Sequence, residues 1–102
     1  SKYASLLQQL RKLELQIRQD VETALLNLAY AKRRAEATRK AIEQSKESVR
    51  IEIQKFDLGK GSITDVLDAQ SAMLEAETTH YRALSDYNIA TAQLDMATGQ
   101  KR

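Results

Sequence analysis

The sequence predicts an all-α fold, a long antiparallel two-helix coiled-coil hairpin. Its 102 residues include no Pro and only 3 Gly, so little interrupts a helix. Hydrophobic residues make up 42% of the chain and aromatic residues only 5%, which favours long helices with narrow apolar stripes over a compact globule with an aromatic core. Apolar residues also recur every seven positions on both sides of one break, the period of a left-handed coiled coil.

The break between the predicted helices lies at Gly59 and Gly61. Gly59 can adopt the left-handed conformation that closes a helix C-terminus. Ser62 is a favourable N-cap for the next helix, and Asp65 follows three residues later in a variant of the capping box. We therefore expect one hairpin domain over residues 1–102, with a helix over about 2–58, a turn at 59–62 and a helix over about 63–98.

The seven-residue repeats of the two predicted helices can be matched to each other. The first helix carries Val21, Leu28, Ala35, Ile42, Val49 and Phe56, and the second carries Val66, Met73, His80, Tyr87 and Leu94. If the chain folds back at the turn, residues whose numbers add to about 122 face each other. The sequence then predicts apolar layers throughout, except where His80 faces Ile42. We expect the polar edge of His80 to face water.

Two further stripes predict contacts beyond this pairing. The second helix repeats alanine at positions 69, 76, 83, 90 and 97, and we expect this stripe on a separate face, where it offers a second contact surface. The first helix is longer, so residues 1 to about 22 overhang. We expect the apolar side chains of this segment to mark a partner surface and to indicate that the chain is a fragment. They include Leu6, Leu7, Leu10, Leu13 and Ile17.

The sequence offers little evidence for a catalytic, metal-binding or nucleic-acid-binding site. One His and no Cys leave no metal-ligand cluster, and no phosphate-binding loop or nucleophile motif is present, so we expect no metal, no cofactor and no enzyme. The net charge is only +2, and Glu36 interrupts the basic cluster around Arg33, which argues against nucleic-acid binding. Asp65 and Asp68 could form an acid–base pair, but complementing the helix dipole is the simpler interpretation.

A family resemblance begins at the turn. Residues 56–70 read FDLGKGSITDVLDAQ, which resembles the pattern aromatic-x-x-Gly-x-x-Ser/Thr-x-x-Asp-Val-Leu-Asp-Ala-Gln of TolC-like outer-membrane efflux proteins. The flanking segments 21–28 and 83–99 are similar to that family's first and closing helices of the hairpin. The resemblance therefore extends over nearly the whole chain, and the turn is its most specific part.

The resemblance implies an architecture and a role. Members of the family are homotrimers in which two repeats per chain build a hollow periplasmic α-barrel, and this chain matches the last helical hairpin of the second repeat. It would be a periplasmic part of a Gram-negative outer-membrane protein, and it would contact the membrane only through β-strands that it lacks. The expected function is a passive duct that exports solutes by coupling, through a periplasmic adaptor, to an inner-membrane pump.

The resemblance also assigns residues at the turn, which is the family's periplasmic tip. Phe56 falls where some members carry Tyr in links that hold the tip closed, and Gly61 falls where some carry Arg. Asp65 and Asp68 would face the aperture as acidic rings that attract cations, and this context favours the ring over simple capping, although Asp65 can do both. The tip residues expected to dock the adaptor are Leu58, Gly59, Lys60, Gly61 and Ser62.

One alternative function remains from the same sequence features. Adaptor proteins of these pumps also contain helical hairpins, so the chain could be a coiled-coil scaffold or adaptor hairpin with no channel role. The turn shows the pattern of the duct and not the Arg-x-x-x-Leu pattern of adaptor tips, which favours the duct.

Overall fold

Two long helices make up the fold in the computed structural model, which describes residues 1–99. Helix α1 spans Lys2–Asp57 and helix α2 spans Ile63–Ala97. They fold back on each other into a rod of 86 × 22 × 14 Å, and no strand occurs within residues 1–99. The predicted all-α antiparallel hairpin is confirmed.

Small side chains dominate the interface between α1 and α2. The buried residues of the rod are Ala24, Ala31, Val66, Ala83 and Ala90, and Ala83 is completely inaccessible to solvent. Helix axes can approach closely where the side chains at the contact are small. The alanine stripe of α2 therefore lies in the hairpin interface, and the prediction that it forms a separate contact surface was wrong. Residues three apart share one side of a helix, so the stripe and the Val66 series bury together.

Two polar contacts between the helices fix their register. The Nδ1 atom of His80 lies 2.9 Å from the Oγ1 atom of Thr38, and Arg34 donates a hydrogen bond of 2.7 Å to Asp86. Both pairs join α1 to α2 near the middle of the shared length. His80 therefore lies opposite Thr38, one helical turn from Ile42, its predicted partner, and its Nδ1 atom forms a hydrogen bond across the interface.

This register sets large side chains of one helix against small side chains of the other. Steps of seven residues from the His80 layer pair Tyr87 with Ala31 and Leu94 with Ala24 in the antiparallel direction. Large-against-small layers interdigitate without forcing the helices apart. The pairing predicted from the sequence joined the two series of large residues and placed the alanines on a separate face.

The longer helix extends well past the shorter one. Ala97, the last residue of α2, lines the same groove as Asp20 and Ala24 of α1. All residues from 1 to 20 are exposed, including Leu6, Leu10 and Ile17, each at about half of its maximum accessibility (54%, 50% and 49%). We call residues 1–21 the overhang. Its apolar side chains lie beyond the end of α2 and remain exposed.

Candidate functional site at the hairpin tip

The tip begins with a tightly closed helix end. Gly59 has a φ of 73°, which an L side chain rarely adopts, and its N–H donates to the carbonyl of Phe56 at 3.0 Å. The N–H of Lys60 reaches back to the carbonyl of Lys55 at 2.8 Å. This pair of bonds is a Schellman motif, which satisfies the last carbonyls of α1 and fixes the direction in which the chain leaves the helix.

A second glycine allows the turn to lie against α1. A Cβ atom at Gly61 would lie 3.0 Å from the Cβ of Lys55 and 3.4 Å from the backbone nitrogen of Phe56. This spacing is tighter than most contacts of a Cβ atom, so any other residue would require the turn or Lys55 to shift by a few tenths of an ångström. Ser62 then starts α2, because its Oγ accepts a hydrogen bond of 3.1 Å from the N–H of Asp65. The sequence-predicted N-cap is confirmed.

Replacing Gly59 with alanine tests how rigidly the tip is built. We expect Gly59→Ala to lower the free energy of unfolding by about 1 kcal/mol, since the methyl group is strained at a positive φ. Circular dichroism at 222 nm during heating would report the loss. Lys60→Ala, at the next position of the same turn, is the matched control and should stay within about 0.5 kcal/mol of the unmodified chain. Equal losses would show that the positive φ is not the cause.

Apolar side chains are displayed around this rigid turn. Leu58 is 64% exposed, and Phe56, Ile63 and Leu67 are also exposed on the same end of the rod. Lys60 is exposed in the same turn. Exposed apolar side chains and a basic group on a fixed backbone are suited to contact another protein.

The two carboxylates predicted to matter lie on the first turns of α2. Asp65 and Asp68 are both exposed, and they line one open groove together with Lys55, Lys60 and Glu52. Within residues 1–99, neither aspartate forms a salt bridge, whereas Lys55 lies 3.5 Å from Glu52. Both carboxylates are thus available to ions or to a partner, and Asp65, in the first turn, also complements the positive end of the α2 dipole.

Elsewhere on the rod, one exposed ion pair shifts the pKa values of both of its members. Arg50 bonds both oxygens of Glu47, at 2.6 and 3.0 Å. The hydrogen bond from Arg50 lowers the pKa of Glu47 and raises the pKa of Arg50 itself. The stabilisation is therefore present above the ordinary pKa of glutamate and is lost as the pH falls through the lowered value. Because both groups face solvent, the effect on stability is small.

The described residues contain little that points to another kind of site. No group of three or more potential metal ligands occurs within residues 1–99. In the same part of the chain, neither helix has a stretch apolar enough to cross a membrane. Two contacts between the helices were not predicted from the sequence: that of Thr38 with His80 and that of Arg34 with Asp86. The sequence indicated these contacts only through polar residues at positions of the two helices that face each other when the chain folds back.

Comparison with known proteins assigns the family. Searches of curated proteins and of solved structures each found no match. The family model described as outer membrane efflux protein matches residues 1–100, which is nearly the whole chain and includes the tip and both helices. Members of that family are transport proteins, components of outer-membrane efflux channels, and are not classed as enzymes. The chain therefore belongs to the outer membrane efflux protein family.

Proposed function

We propose that this hairpin is a wall segment of the periplasmic duct of an outer-membrane efflux channel and has no enzymatic activity. The duct would be a homotrimer that receives solutes from an inner-membrane pump through a periplasmic adaptor. The observation that carries the proposal is the tip, where the backbone is fixed by Gly59 and Gly61 at the end of a rod 86 Å long. Family membership supplies the efflux context.

The adaptor would dock on the exposed end of the hairpin. Leu58 and Lys60 project from the turn, while Gly59, Gly61 and Ser62 hold its shape. A preformed backbone loses little conformational entropy when a partner binds, so more of the contact energy becomes affinity. The exposed Leu58 offers an apolar anchor, and Lys60 offers a charge that favours an acidic partner surface.

The carboxylates would act on the solutes that pass. In a trimer, Asp65 and Asp68 would each be repeated three times around the aperture, and such acidic rings attract cations and repel anions. Phe56 lies 44% exposed at the same end. It would stand at the position that links neighbouring hairpins, with an aromatic ring that lacks the hydroxyl of tyrosine for a hydrogen bond.

Site-directed cross-linking in cells tests this function. The chain has no Cys, so Lys60→Cys in the protein that carries the hairpin gives one reactive thiol at the tip. We expect it to cross-link to a periplasmic adaptor protein. Lys46→Cys is the matched control, because Lys46 is also an exposed lysine of the hairpin but lies about 18 Å further along α1.

The outcomes separate the duct from a scaffold. A cross-link from position 60 but not from position 46 supports docking at the tip. A cross-link only between copies, formed from Asp65→Cys, supports a narrow aperture without docking. If correctly assembled protein gives neither product, the duct proposal fails and a coiled-coil scaffold becomes the better explanation.

A further inference from the structure

A groove near the middle of the shared length gathers cationic and aromatic side chains from both helices. Arg34 of α1 lines it together with four residues of α2, which are Tyr81, Arg82, Ser85 and Asp86. Its volume is about 430 Å³, which is sufficient for a small molecule. The two arginines belong to different helices, so the groove exists only in the folded hairpin.

Most hydrogen-bond donors of this groove are unused. Arg82 forms no hydrogen bond or ion pair within residues 1–99, so its N–H groups are all free. Arg34 uses its Nη1 atom to bond Asp86 and keeps its other donors. The hydroxyl of Ser85 also has no hydrogen-bond partner in this part of the chain. Guanidinium groups match the planar geometry of a carboxylate, so the groove is suited to an anion.

The net charge of the groove favours an ion with one negative charge. Arg34 and Arg82 supply two positive charges and Asp86 supplies one negative charge, so the sum is +1. A monoanion neutralises this charge. A dianion would leave excess negative charge close to Asp86, and a cation would be repelled by both guanidinium groups.

Tyr81 adds an aromatic surface beside these charges. Its side chain is 64% exposed, so its ring is available to a ligand. Thr78 lines the same wall, but its hydroxyl donates to the carbonyl of Leu74 at 3.0 Å and offers no donor to a second anionic group. The groove thus combines one place for a carboxylate with one place for an aromatic ring.

We propose that this groove is a binding site for aromatic monocarboxylates. The carboxylate lies between Arg34 and Arg82, and the ring of the ligand lies against Tyr81. Arg82 occupies the same heptad position as Asp68, two heptads and about 21 Å further along α2. A solute moving along that face of a duct would meet the carboxylates and then this groove, a consequence that rests on the proposed function. Binding itself requires only the hairpin.

Titration of the chain with sodium benzoate at constant ionic strength tests the site. Nuclear magnetic resonance of the arginine Nε–H groups should show saturable shifts for Arg34 and Arg82, with a dissociation constant on the order of millimolar, since exposed charge contacts are weak. Acetate lacks the ring and should bind more weakly, and benzamide lacks the charge and should give no saturation. Shifts that never saturate, or equal affinities for benzoate and acetate, would overturn the proposal.

Removal of one charge inside or outside the groove gives a matched comparison. Arg82→Gln should weaken benzoate binding, measured at Arg34, by about threefold to fivefold. Arg33→Gln is the control, because Arg33 is exposed at the same height on α1 but does not line the groove. Its effect should stay below about twofold, since salt screens the more distant charge. Equal losses would indicate general attraction to a basic surface and contradict a defined site.

Removal of the aromatic ring tests the other half of the site. Tyr81→Ala should weaken the binding of benzoate and leave that of acetate unchanged. Tyr3→Ala is the control, because Tyr3 is 75% exposed and lies far from the groove. Unchanged benzoate affinity in Tyr81→Ala would refute the assigned ring contact. Circular dichroism verifies that each variant remains helical. A failure of binding would leave the duct, which the cross-link from position 60 tests separately, unaffected.

Discussion

Ala83→Leu is expected to destabilise the hairpin by about 1–3 kcal/mol, because the larger side chain overpacks the contact between the helices. Ala83 is completely buried, and it lies in the stripe that brings α2 close to α1. Because Ala83 has no exposed surface, a leucine side chain at this position would have to displace the neighbouring side chains or push the helices apart. Thermal unfolding followed by circular dichroism should show a midpoint lower by about 4–8 °C for each kcal/mol.

Ala92→Leu is the matched control for this loss. It makes the same substitution in the same helix, but Ala92 is exposed. We expect its free energy of unfolding to stay within about 0.5 kcal/mol of the unmodified chain. The two variants must be compared at one protein concentration, because any self-association makes stability concentration-dependent. If Ala83→Leu were as stable as Ala92→Leu, the result would contradict tight packing of the two helices at Ala83.

The parts of the fold that were predicted from the sequence depend on local chemistry. Gly59 marks the end of α1 because a left-handed residue is needed there, and Ser62 marks the start of α2 because its hydroxyl caps the helix. Both signals involve residues within one turn of the chain, so they do not depend on how the helices pack.

The parts that were mispredicted depend on the register between helices. The seven-residue repeat indicates which residues can share an interface, but it does not fix the axial offset of one helix against the other. An offset of one turn exchanges the partner of His80 from Ile42 to Thr38 and brings the Ala83 stripe into the contact. The axial offset is decided by the volumes of the facing side chains and by the hydrogen bond that the imidazole of His80 forms.

The roles assigned at the tip have a different origin. Asp65 and Asp68 are exposed carboxylates on one helix, and an aperture exists only where several copies meet. Nothing in the physical chemistry of a single hairpin distinguishes an acidic ring from an ordinary acidic helix start. The resemblance of residues 56–70 to the family pattern is what connects these residues to efflux, and cross-linking in an assembled channel tests the connection.

The second large effect is expected at the polar layer formed by His80 and Thr38. The hydroxyl of Thr38 lies 2.8 Å from the carbonyl oxygen of Arg34 and 3.0 Å from that of Ala35. Its hydrogen therefore points to a carbonyl of its own helix, and its oxygen accepts a hydrogen bond from Nδ1–H of His80 at 2.9 Å. The bond links α1 to α2 through a half-buried donor.

Thr38→Val should accordingly cost about 1 kcal/mol, toward the low end of the penalty for an unsatisfied buried donor, since the site is half-buried. Valine keeps the shape of threonine but leaves Nδ1–H of His80 without an acceptor. Adding His80→Phe removes the donor, so the double variant should recover most of that loss. Unfolding free energies of both single variants and the double variant complete a double-mutant cycle, in which we expect a coupling of about 1 kcal/mol. Additive losses would mean that the two side chains do not bond in solution. The register of the hairpin would then depend on the alanine packing and the pair of Arg34 with Asp86 alone.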